Sequence, residues 1–230
     1  MTSRDGQHER TSRFLFSRLE KKILPRMAGA LPSWVMPDHL TFLGMTASTA
    51  IGASYLMTNR SASWLWAVSA FLIVQWFGDS LDGTLARFRR IERPRYGFYL
   101  DHLTDAYSTV VVGIGLGLSP YMLLAVGLSI VIAYLVLSIN VYLETHVFGE
   151  FSFGYGMLGP TEVRVVLIGL NTTAALVGPV PFTAFGLGMT VFDLGGMAAA
   201  LGMLGLLLSR SVGNLRRLAE LEPAGRKKGV

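Results

Sequence analysis

The chain contains no cysteine, which excludes disulfides and any zinc or iron–sulfur centre held by thiolates. It is also poor in charge, with 15% Asp, Glu, Lys and Arg against 51% hydrophobic residues and a mean hydropathy of +0.47. That balance excludes an ordinary soluble domain, and the lipid bilayer is the expected solvent. No internal repeat, low-complexity segment or long linker divides the 230 residues. A short charged tip ahead of an apolar core is missing at the N-terminus, so no cleavable signal is expected.

What is present is a series of apolar stretches long enough to cross a hydrocarbon core of roughly 30 Å as helices of about 20 residues. Six spans are expected: His39 to Met57, Ser63 to Arg87, Gly97 to Leu118, Tyr121 to Leu143, Val163 to Val180, and Phe185 to Leu208. The expected fold is an all-α integral membrane protein of six transmembrane helices preceded by an amphipathic interfacial helix. A polar segment (1–36), a membrane domain (37–209) and a basic tail (210–230) make up its organisation. Glycines such as Gly113, Gly115, Gly117, Gly195, Gly196, Gly202 and Gly205 suit close helix packing in a bilayer.

Basic residues fall on one side of this plan. Seven lie between Arg4 and Arg26, five in the connection holding Arg87, Arg89, Arg90, Arg93 and Arg95, one at Arg164 and six from Arg210 to Lys228, leaving Arg60 alone on the other face. The positive-inside rule makes the basic face cytoplasmic, with both termini on it. The formal charge of +5 then reads as topology and attraction to anionic lipid, with no nucleic-acid partner expected. In "RFLFSRLEKKIL", Phe14, Leu15, Leu19 and Ile23 recur at helical spacing beside Arg18, Lys21 and Lys22, which suits a helix lying in the interface. Pro25 and Pro32 are expected to break it. Arg89, Arg90, Arg93 and Arg95 are expected as topology determinants in a solvated loop.

Carboxylates within a membrane span are costly, about 2.5–3.5 kcal/mol each near the centre, and default to functional roles. Four stand close together: Asp79 and Asp82 at i, i+3 on the second span, Asp101 and Asp105 at i, i+4 on the third. Each pair shares a helix face, and the two faces are expected to meet. At about 1.5 Å per residue, Asp79 lies roughly 24 Å along its helix, near the cytoplasmic end, as does Asp101. With no lysine among them, four carboxylates at one depth call for a cation between them. Oxygen donors suit Mg²⁺, Mn²⁺ or Ca²⁺, and four aspartates have room for two ions clamping phosphoryl oxygens. Gly83, Ala86 and Gly97 leave room for a ligand, and Arg87 offers a cationic fork to phosphate. His39, His102 and His146 lack metal-ligand spacing and are expected as hydrogen-bonding residues; His102 stands out for lying between two aspartates.

Asp79, Asp82, Gly83, Ala86, Arg87, Gly97, Asp101 and Asp105 form the pattern D-x2-D-G-x2-A-R-x9-G-x3-D-x3-D, which resembles the signature of the CDP-alcohol phosphotransferases, integral membrane enzymes of phospholipid synthesis. "PDHLT" (Pro37 to Thr41) also resembles that family's motif ahead of the first span, with Asp38 where asparagine is more frequent. The resemblance implies a six-helix fold, a homodimer, and a cytoplasm-facing cavity for a CDP-linked donor. It implies that Asp79, Asp82, Asp101 and Asp105 hold two Mg²⁺ or Mn²⁺ ions, with Thr41, Gly83, Ala86, Arg87 and Gly97 around the CDP moiety. Asp105 would deprotonate an alcohol acceptor, whose alkoxide attacks the β-phosphorus while CMP leaves.

The family divides between lipid donors, such as CDP-diacylglycerol, and soluble donors, such as CDP-choline. "LDHLTD" (Leu100 to Asp105) and "GPTE" (Gly159 to Glu162) resemble pieces of the soluble-donor arm, in which His102 or Glu162 takes part in deprotonation. The chain's shortness, and Val163 and Arg164 after the glutamate, lean to CDP-diacylglycerol, with Arg164 suited to an acceptor carrying phosphate. Intramembrane prenyltransferases also use aspartates with Mg²⁺, but their D-D-x-x-D-like motifs lack the G-x2-A-R extension. A transporter would be expected to show broken helices or inverted repeats. The expected location is an integral membrane protein with both termini and its site on the cytoplasmic side, which for a bacterial chain means the inner or cell membrane.

Overall fold

The computed structural model describes residues 16–148, 159–184 and 186–223. Among them are seven helices: α1 (Ser17–Ala30), α2 (Pro37–Met57), α3 (Trp64–Arg89), α4 (Pro94–Gly117), α5 (Leu124–Phe148), α6 (Pro160–Val177) and α7 (Val191–Leu221). A small antiparallel hairpin of β1 (Phe182–Ala184) and β2 (Leu187–Met189), with Phe182 opposite Met189, precedes α7. By length and composition α2, α3, α5 and α7 can cross a membrane.

Local sequence sets the helix starts. Proline occupies the first turn of α2, α4 and α6, where its missing N–H costs nothing. His39 Nδ1 accepts the Met36 N–H (3.2 Å). Asp193 accepts the N–H groups of Thr190 (2.8 Å) and Leu123 (2.7 Å), closing α7's capping box and tying it to the start of α5. α3 ends at Arg90, which adopts a left-handed conformation (φ 55°).

α2 is the spine. It packs along both α3 and α4, α6 packs on α3, and α5 joins α4 to α7. The α2–α3 crossing is backbone on backbone: a Cβ on Gly78 would stand 2.6 Å from Leu40 O and 2.7 Å from Gly44 N. Gly78→Ala is therefore expected to force the helices apart, costing about 1–3 kcal/mol, whereas Gly169, with nothing within 4 Å of its Cβ position, is expected to accept alanine with little change. Thermal unfolding of both variants in detergent checks the contrast.

Two apolar clusters occupy different levels of the bundle. One gathers Ile51, Tyr55, Leu65, Leu72, Leu116 and Phe192; the other gathers Leu24, Ala28, Leu40, Leu81 and Leu85. Between Leu40 and Ile51 on α2, and between Leu72 and Leu85 on α3, lie the polar residues that form the site.

The N-terminal region departs from the sequence reading. Phe14 and Leu15 lie outside the described residues, and Pro25 sits within α1 instead of ending it. Leu24 and Ala28 are buried against Leu81 and Leu85, and Glu20 Oε1 accepts from Trp76 Nε1 (3.0 Å) and Thr161 Oγ1 (2.6 Å). This docking offsets the backbone hydrogen bond that proline removes. The chain turns instead at Leu31, extended ahead of Pro32. Leu19 and Ile23 remain exposed.

Arg89 is not a solvated loop residue. Its guanidinium donates to the carbonyls of Leu31 (3.2 Å), Pro32 (2.8 Å), Ser33 (3.3 Å) and Val35 (2.5 Å), pinning the α1–α2 turn to the end of α3. Arg93 donates to both oxygens of Asp38 at the start of α2. At the other end, α7 begins at Val191, after the hairpin, and runs on to Leu221. Its polar second half is held by a cluster in which Glu144 accepts from Arg210, Asn214 and Asn140.

Candidate active site

α3 and α4 both pack on α2 but do not form a comparable pair with each other, so the two aspartate faces look onto a cleft between them. Thr41, Gly44 and Met45 of α2 line its back, Gln75, Asp79 and Asp82 its α3 wall, and Thr104 and Ser108 its α4 wall. Ser48 donates to Ser108 (2.8 Å) and Thr49 pairs with Tyr107 (2.7 Å), fixing α4 against α2 beneath the carboxylates.

Each carboxylate has a distinct setting. Asp82 accepts from Thr41 Oγ1 on one oxygen (2.7 Å) and from the Gly83 N–H on the other (2.5 Å). Asp79 accepts from Arg164 Nη2 (2.6 Å). Asp105 is acted on by the charges of Asp79, Asp101 and Asp82, and by the opposing charge of Arg164. Asp101 is more open than Asp79, its side chain 46% exposed against 24%.

The four aspartates of α3 and α4 thus share one electrostatic neighbourhood, and a cation of the chain itself, Arg164 from α6, already enters it. Among the described residues no three carboxylate or imidazole groups stand together as a finished metal cage, because Asp79 is turned to Arg164 and Asp82 to Thr41. The donor chemistry still fits a hard divalent cation. All donors are carboxylate oxygens on rigid helices, and one of them already holds a positive charge.

The remaining sequence candidates separate. Arg87 is exposed and lies back along its own helix, donating to Thr84 Oγ1 (3.2 Å) and standing over Gly83. Ala86 is half-buried on the same helix, and Gly97 faces open space. His102 is buried on another side of α4, its ring 4.1 Å from Phe98 and 5.0 Å from Tyr142, with Nδ1 3.6 Å from Asp101. Glu162 is buried at the start of α6, where its oxygens accept the N–H groups of Gly159 and Phe16, both at 3.0 Å. It serves there as a helix cap and a tie to α1.

Sequence reasoning missed Gln75. Its Oε1 accepts from Arg164 Nε (2.5 Å), and its signal was a lone amide in the apolar run "FLIVQWFGDSLD", one turn before Asp79 on the same face.

The whole architecture has solved counterparts. Two structures of Mycobacterium tuberculosis phosphatidylinositol phosphate synthase (PgsA1) share the fold. One has CDP-DAG bound, with a TM-score of 0.52 and 22% identity over 91% of this chain and 99% of that one. The other, in complex with manganese and citrate, has a TM-score of 0.51 and 22% identity over 90% and 94%. Residues 34–209, which include every aspartate of the cleft, match the CDP-alcohol phosphatidyltransferase family, and the chain belongs to that family of membrane-associated transferases.

Proposed function

We propose that this chain moves a phosphatidyl group from CDP-diacylglycerol to the hydroxyl of a polyol or polyol phosphate, releasing CMP. The observation that carries the reading is the cleft itself, in which the family signature places Asp79, Asp82, Asp101 and Asp105 on two helices backed by α2. Asp79, Asp82, Asp101 and Asp105 would hold two Mg²⁺ or Mn²⁺ ions, which when bound neutralise the diphosphate and the leaving phosphate.

The chain's own residues supply the remaining parts. Thr41 orients Asp82. Arg87, at the open end of α3, offers donors to phosphate, and Gly83, Ala86 and Gly97 leave room for the cytidine diphosphate. Asp105 accepts the acceptor's hydroxyl proton. A P–O bond then forms between the acceptor oxygen and the β-phosphorus, the P–O bond to CMP breaks, and CMP departs as the anion. Arg164 suits an acceptor that itself carries phosphate.

In the membrane, α4 and α6 complete six spans. At about 1.5 Å per residue their 24 and 18 residues reach roughly 36 and 27 Å. Asp101 and Asp105 lie in the half of α4 that begins at Pro94, and Glu162 and Arg164 in the first turns of α6, on the side where the cytoplasmic site lies. α1 lies in the cytoplasmic interface, with Leu19 and Ile23 toward lipid, and the chain works as a homodimer.

The roles of Glu162 as a cap and of His102 in an aromatic stack account for the two motifs that leaned toward a soluble donor. CMP release by the purified protein in lipid with Mn²⁺ tests the assignment. The expected result is release with CDP-diacylglycerol plus a pool of polyols and polyol phosphates. Release only with CDP-choline or CDP-ethanolamine plus diacylglycerol would overturn the lipid-donor reading.

A further inference from the structure

We propose that Arg164 competes with divalent metal for Asp79, and that Gln75 sets the strength of that competition; this rests on the reading of Asp79 as a metal ligand. The guanidinium enters the cleft edge-on, Nε to Gln75 Oε1 (2.5 Å) and Nη2 to Asp79 Oδ2 (2.6 Å). Gln75 and Asp79 are one turn apart on α3, so a single rigid fork spans both. Neither partner is loosely held: the Arg164 side chain is 12% exposed and Gln75 8%.

Arg164 is also delivered from a fixed point. Two residues earlier Glu162 caps α6 and binds the Phe16 N–H, and next to it Thr161 donates to Glu20 of α1. A swing away from Asp79 is therefore a movement of the side chain, with the start of α6 held in place.

The competition follows from charge and from the shared oxygen. An Asp79 Oδ2 engaged in a charge-assisted bond at 2.6 Å has less to give a metal ion, and a guanidinium left at that distance would repel the ion. Loading the cleft therefore requires Arg164 to leave. The same charge acts on Asp105, so the departure changes the field at two carboxylates together. Gln75 accepts from Arg164 without adding charge, and it holds the fork on the metal's side of the cleft. It is a positioning residue for Arg164 and does not itself touch the reacting atoms.

Mn²⁺ binding to the full chain in lipid nanodiscs, followed by the electron paramagnetic resonance signal of free Mn²⁺ with no nucleotide present, tests this. Arg164→Gln is expected to bind Mn²⁺ about tenfold tighter than wild type, within the usual range for coupled sites. Gln75→Leu is expected to shift affinity the same way by a smaller factor, and carries the test if Arg164→Gln does not fold. Arg164→Lys, which keeps the charge, is expected to stay near wild type. Unchanged or weaker binding in both Arg164→Gln and Gln75→Leu would overturn the competition. Asp79→Asn separates the two levels: if it leaves Mn²⁺ affinity unchanged, the metal reading of Asp79 fails and the competition with it. If it weakens binding while the other two variants do nothing, only the competition fails.

Discussion

Asp105→Asn is expected to lower turnover by about 10²- to 10⁴-fold, the range for loss of a positioned general base, while leaving the fold intact. Asparagine has the shape of aspartate but cannot accept the acceptor's proton. The structural cost is small because Asp105 faces the like charges of Asp79, Asp101 and Asp82. Removing one negative charge from that group relieves repulsion, so thermal unfolding in metal-free buffer is expected at the same temperature or slightly higher. The combination distinguishes a base from a structural residue, for which activity and stability would fall together. Turnover within a few-fold of wild type would contradict the assignment.

Removal of divalent cations is expected to stop the reaction completely and reversibly. Asp79 and Asp82 line the cleft, Asp105 is under the charges of Asp79, Asp82 and Asp101, and among the described residues the cationic side chain that reaches Asp79 is Arg164. Its one positive charge leaves the group strongly anionic, and a donor carrying a diphosphate adds more negative charge. Without divalent metal the donor and the cleft repel each other. EDTA is expected to abolish CMP release, and added Mg²⁺ or Mn²⁺ to restore it. A second readout needs no substrate: a metal that binds only the folded protein stabilises it by about 2.7 kcal/mol at a hundred times its Kd. Unfolding temperature is therefore expected to rise with Mn²⁺ in wild type and to respond less in Asp79→Asn. Activity that survives exhaustive chelation would contradict the metal reading.

The four aspartates were legible in the sequence as a group because their information is local. Spacings of three and four place each pair on one helix face whatever surrounds it, and four acids in apolar spans have few other reasons to exist. Their partners were not local. Arg164 meets Asp79 across 85 positions and Gln75 across 89, and only the packing of α6 on α3 brings them together. Its expected role as a topology anchor or phosphate ligand was drawn from charge alone. Periodicity gives the two aspartate faces and the gap between them, but only the packing of both α3 and α4 on α2 shows what closes that gap at the back.

Element ends followed a similar division. Proline-led starts of α2, α4 and α6 fell within a few residues of the hydropathy boundaries. The last helix did not, since hydropathy ends where residues become polar, near Leu208, whereas the helix continues to Leu221 on the strength of the Glu144, Arg210 and Asn214 cluster. Pro25 shows the same override, its local cost offset by Leu24, Ala28 and Glu20 docking on α3. The four carbonyls that hold Arg89 lie 54 to 58 positions away, where no sequence pattern could point to them.

The most direct test of the central claim follows phosphorus. With CDP-diacylglycerol, Mn²⁺-loaded protein and the acceptor found from the pool, ³¹P spectra of the extracted products are expected to show the diphosphate consumed. CMP and a new phosphodiester should appear in equal amounts, and neither should form with Asp105→Asn. Consumption that yields CMP and phosphatidic acid without a phosphodiester would contradict transfer to an alcohol, and an unchanged diphosphate with every acceptor and metal would contradict the assignment of the cleft as a phosphatidyl-transfer centre.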